Sequence, residues 1–98
     1  MTETPESTGV WVFMGVAARH PAAVFTTLEK GEAWVREHRL EGMLTWYPLD
    51  VSAYDWAVSQ GRFKPKSGQP TPEFLAGFSS ASQPHHHYEN AEPFADEV

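Results

Sequence analysis

Hydrophobic positions fall into blocks whose spacing changes along the chain. Val10-Trp11-Val12-Phe13-Met14-Gly15-Val16 is apolar at consecutive positions and rich in β-formers. A strand apolar at both parities predicts cover on both faces, and hence a central place in its sheet. Ala17-Ala18-Arg19-His20-Pro21 interrupts the run and Ala22-Ala23-Val24-Phe25 resumes it, which predicts a hairpin. From Thr26 the period becomes helical. Leu28, Gly31, Trp34, Val35 and His38 share one arc, while Glu29, Glu32, Arg36 and Glu37 lie opposite. Thr26 and Glu29 have capping-box spacing. Gly31 on the apolar arc predicts close approach of this helix to a sheet.

Met43-Leu44-Thr45-Trp46-Tyr47 reads as a third strand, closed by Pro48, which cannot donate to a ladder. A second helix follows, capped by Asp50 or Ser52 and stopped at Gly61. Phe63 to Pro72 is a loop, and Thr71-Pro72-Glu73 restarts a short helix carrying Phe74, Leu75 and Phe78. His85 to Glu89 reads as a last, short edge strand. The order β-β-α-β-α, then a short helix and an edge strand, predicts an α+β fold. It is a small, mostly antiparallel sheet with helices packed on one face. A crossover from the second strand through the first helix places the first strand between the second and third.

Composition narrows the class. Ninety-eight residues make one small domain, and four Trp, six Phe and three Tyr supply a dense core for that size. There is no cysteine, so no disulfide, thiolate site or cysteine nucleophile. The N-terminus is polar and acidic and no apolar run is long enough to span a bilayer, so a cytoplasmic protein without membrane contact is expected. The net charge of −6 is unevenly spread. Glu3 and Glu6 at one end, and Glu89, Glu92, Asp96 and Glu97 at the other, face no bases, and the rest of the chain is formally neutral. The expected organisation is a disordered acidic tail over 1–8, one domain over 9–90 and an acidic tail over 91–98. A neutral body without a basic face argues against nucleic-acid binding.

Candidate chemistry is sparse. His85, His87 and Glu89 alternate onto one face of an extended segment and could supply three zinc ligands, with Asp50 or water as a fourth. Histidines at i and i+2 are a weaker signature than helical His pairs, and surface edge-strand sequence is the ordinary reading. A histidine acting as base beside Ser79, Ser80 or Ser82 would lack the Gly-x-Ser-x-Gly elbow. Arg62, Lys64 and Lys66 alternate with Phe63 and Pro65 as a solvated basic loop. His38 belongs at the core edge.

The second helix carries the most informative oddity. Val51, Tyr54, Ala57 and Val58 share its apolar arc, whereas Trp56 projects among Ser52, Asp55, Ser59 and Gln60. Either the segment around Phe74, Phe78 or Tyr88 folds over Trp56, or Trp56 anchors a partner. Tyr47-Pro48-Leu49-Asp50 precedes it and would extend such a patch.

The blocks Trp11-Val12-Phe13, Ala23-Val24-Phe25, Trp46-Tyr47-Pro48-Leu49-Asp50-Val51, Tyr54-Asp55-Trp56-Ala57, Phe78-Ser79-Ser80-Ala81-Ser82-Gln83 and His87-Tyr88-Glu89 resemble a family of small bacterial proteins of unknown function. The resemblance spans roughly residues 10–90 and implies no activity. In size and style the chain is also similar to small immunity proteins that neutralise toxins by binding them. The expectation is a non-enzymatic interaction module, immunity-like in its most concrete form, that binds another protein through Trp56, Tyr47, Asp55 and Gln60 without a cofactor. The alternative is a metal-dependent or histidine-based enzyme using His85, His87 and Glu89, with zinc as its metal. A homodimer that buries the patch within itself is a third reading.

Overall fold

In a computed structural model of the chain, residues 9–65 and 70–89 are described, with the backbone of 92–93. The acidic segment 1–8, Lys66 and residues 94–98 lie outside the described residues. The elements run β1 (Gly9–Gly15), β2 (Ala23–Phe25), α1 (Leu28–His38), β3 (Gly42–Pro48), α2 (Ala53–Ser59), α3 (Pro72–Gly77), β4 (His85–Glu89) and β5 (Glu92–Pro93). The strands form one antiparallel sheet in the order β2-β1-β3-β4-β5. This is the α+β fold expected from the sequence, with β1 between β2 and β3. Glu89 pairs with Glu92 and Tyr88 with Pro93, so β4 is not an edge and pairing continues past residue 90.

Register decides which side chains share a face. Trp11 lies opposite Phe25 and Trp46, Phe13 opposite Ala23 and Leu44, and Leu44 opposite His86. With a side-chain period of two, these residues and Tyr88 occupy one face. The residues between them, Val10, Val12, Met14, Val24, Met43, Thr45, Tyr47, His85, His87 and Glu89, occupy the other.

All three helices gather on the first face. α1 lays Val35 and Gly31 against Phe13, Leu44 and Phe25, with Trp34 edge-on to Phe13 at 5.5 Å between centroids. Gly31 eases that approach. A Cβ there would stand 3.1 Å from Leu44 and 3.2 Å from Phe25. Gly9 clears space in the same way for the Trp46 indole, which a Cβ would overlap. α2 lays Trp56 and Ala57 on Trp46, and α3 follows through a ring cluster of Tyr54, Phe63, Phe74 and Phe78. Trp11 packs against both the α1 and the α2 clusters and joins them into one layer.

Three sequence expectations shift. The cap of α1 is Thr27, whose hydroxyl accepts from Lys30 N, so Glu29 is one residue too early for a capping box. Ser52, not Asp50, caps α2 by accepting from Asp55 N. His38 is exposed, its ring 5.8 Å from that of Trp34, because α1 ends at that residue beyond the edge of the packed layer.

Candidate functional site

The two faces of the sheet differ in what lies on them. On the helix side Trp46, Leu44 and Phe13 are buried, at 1%, 0% and 3% exposure. On the other side Val10, Val12, Met14, Met43, Thr45 and Tyr47 are half-buried and Val24 is 61% exposed. Among the described residues no helix packs on that second face. The apolar run of β1 predicts cover on both sides, yet the described helices pack on its odd positions alone.

The open face has relief. A hollow of about 400 Å³ lies at one end, between Met14, Val16, Met43, His87 and Glu89. A second, of about 330 Å³, lies between Met43, Thr45, Tyr47, His85 and the turn at Ser79–Gln83. That turn is held from beneath by Gln83, which is 1% exposed. Its Nε2 donates to the Trp46 carbonyl and its Oε1 accepts from Ser80 N, both at 3.0 Å. One buried amide thus satisfies two backbone groups and fixes the rim of the hollow against β3. Sequence reasoning passed over Gln83, since nothing local distinguishes it from the Ser-rich turn around it.

The expected patch does not assemble. Trp56 is buried at 8% exposure, its ring edge-on to Trp46 at 5.8 Å, with Phe78 in the same cluster. Tyr47 follows Trp46 in β3 and therefore points to the opposite face of the sheet. Trp56 and Tyr47 are thus separated by the sheet itself. The helical wheel misplaced Trp56 because α2 is covered on two sides. Trp56 and Ala57 meet the sheet while Tyr54 meets the Phe63, Phe74 and Phe78 rings, so the exposed side narrows to Ser52, Asp55 and Ser59. Asp55 and Gln60 are exposed on α2, across the sheet from Tyr47. The Trp56 indole N–H is buried and has no hydrogen-bond partner among the described residues.

The histidine cluster comes together only in part. His85 and His87 share the open face, their rings edge-on at 5.1 Å, and His85 Nδ1 donates to the Gln83 carbonyl at 2.8 Å. Glu89 is four residues beyond His85 on an extended strand, a span of about 13 Å, too far for one ion to bind both. Among the described residues no three His, Asp or Glu side chains are placed to hold a metal. The zinc triad is thereby corrected: alternation puts its members on one face but strand rise pulls them apart. Ser80 Oγ accepts from Ser82 N within its own turn. Arg62 and Lys64 are exposed, and no helix among the described residues is long and apolar enough to cross a membrane.

A family profile matches residues 10–93, from β1 through β5. The chain belongs to that family, described as a domain of unknown function (DUF7710). The match takes in both faces of the sheet, all three helices and the Ser79–Gln83 turn, and leaves the acidic ends outside. Among curated proteins and among solved structures nothing matches.

Proposed function

We propose that this chain is a non-enzymatic protein-interaction module whose contact surface is the open face of the sheet. One observation carries the reading. The even positions of β1, Val10, Val12 and Met14, are as apolar as the odd ones, but among the described residues helices cover only the odd ones. Together with Val24, Met43 and Tyr47 they make a contiguous apolar surface on rigid strands. Contiguous exposed apolar area of that kind marks interaction surfaces in small proteins. Tyr47 supplies the aromatic member, with a hydroxyl that keeps it compatible with water before binding.

Bait capture tests the reading. Full-length wild type and Val12→Lys, Tyr47→Ala and Asp55→Ala variants are immobilised and exposed to a lysate of the source cells. A stoichiometric protein retained by wild type and Asp55→Ala but lost by Val12→Lys and Tyr47→Ala is the expected result. Retention that depends on Asp55 and ignores Val12 would move the surface to α2 and overturn the assignment.

A further inference from the structure

The open face brings together donors that the zinc triad did not include. Register sets Met14 opposite Met43 and Met43 opposite His87, one row across β1, β3 and β4. His85 lies two residues before His87 and so shares its face. The two imidazoles have centroids 5.1 Å apart and planes at 86°. An ion about 2.0–2.1 Å from one nitrogen of each ring, at a tetrahedral angle, would set the centroids about 5.2 Å apart. The rings already stand at the spacing of two ligands to one metal. His85 is also oriented as metal-bound histidines are. Its Nδ1 donates to the Gln83 carbonyl at 2.8 Å, which leaves Nε2 of the neutral ring to offer its lone pair. His87 is exposed, so rotation about its side-chain bonds brings a ring nitrogen toward the same point.

Among the described residues no third His, Asp or Glu completes this pair, but Met43 does. Directly opposed residues of an antiparallel pair have Cβ atoms about 4.5–5.5 Å apart, within reach of an unbranched thioether with three rotatable bonds. Met43 borders both hollows of the open face, with His87 lining one and His85 the other. Met14 walls the first hollow beside it, and Glu41 and Glu89 at its rim favour a cation. Two neutral imidazoles and a thioether make a soft donor set. Thioether sulfur suits Cu(I), whereas zinc takes thiolate, imidazole or carboxylate. With no cysteine in the chain, methionine is its soft donor. Beyond the interaction reading and independent of it, we infer that His85, His87 and Met43 form a binding site for one Cu(I) ion.

The experiment titrates full-length protein, without oxygen, into the coloured complex of Cu(I) with bicinchoninate. Wild type is expected to withdraw one Cu(I) per chain. His87→Ala and Met43→Leu are each expected to weaken that withdrawal by about tenfold or more, the scale on which metal sites answer to lost partners. His86→Ala is expected to leave it unchanged, because His86 lies on the helix side with its ring 5.7 Å from that of Trp11. X-ray absorption of the wild-type copper complex needs no variant to fold, and is expected to show sulfur beside nitrogen around the metal. No withdrawal of Cu(I), a copper shell without sulfur, or affinity that Met43→Leu leaves intact overturns the site. Equal loss with His86→Ala would mean that the histidine run binds without regard to face, and overturns it too. So would equimolar Zn²⁺ displacing the copper, since a soft site holds Cu(I) against zinc.

Discussion

The helix-covered and open faces of the sheet use the same strands, and often adjacent residues, for opposite purposes. In β3, Trp46 is buried under α2 while its neighbour Tyr47 stands half-exposed on the far side. In β2, Phe25 packs against Trp34 while Val24 is 61% exposed. On the first face Phe13, Leu44 and Tyr88 are buried with Val35 of α1, and Trp46 with Trp56 and Ala57 of α2, the two clusters joined by Trp11. The second has an equally apolar sequence and nothing described on top of it. Among the described residues the helices pack on one face only, and the reading proposed here assigns the apolar character of the other to a partner.

That division is most sharply broken at Trp46. Trp46→Ala removes the ring that meets both Trp56 and Gly9, and is expected to lower unfolding free energy by about 3–5 kcal/mol in denaturant titration. A small domain has little reserve, so this variant is expected to be largely unfolded at 37 °C. Gln83→Ala is next. It strips the Trp46 carbonyl and Ser80 N of their buried partner, for an expected loss of about 1–3 kcal/mol by the same titration. The finest comparison uses neighbours in β2. Phe25→Ala is expected to cost about 2 kcal/mol and Val24→Ala about 0.5 kcal/mol or less by the same titration. Equal losses at these two positions would mean that both faces are covered within one chain.

Much of the architecture was legible because strand and helix periods were clean. The continuous apolar run fixed β1 as an interior strand, and the crossover through α1 fixed the order of β2, β1 and β3. Gly31 announced a close helix–sheet contact that the structure shows. What the sequence hid was side. Apolar residues at both parities of β1 say that both faces want cover, but not whether the chain supplies it. Trp56 was misread because it borders the exposed Ser52, Asp55 and Ser59 on the wheel, and so short a helix does not show that the sheet side extends from Ala57 to include it. His85, His87 and Glu89 were rightly placed on one face, yet alternation carries no information about the distance along the strand. Gln83 was invisible, since its partners are the backbone groups of Trp46 and Ser80 and no side-chain pattern points to them.

The most direct test of the account needs no variant. Met14 and Met43 pair across β1 and β3 on the open face, and oxidation by dilute peroxide reports their access to solvent. Rates are followed by mass spectrometry, with free methionine as the internal standard. The account predicts that both methionines oxidise within about tenfold of the free amino acid, because the face that carries them is open. Rates about a hundredfold slower at both would mean that the chain itself covers this face, and would contradict it.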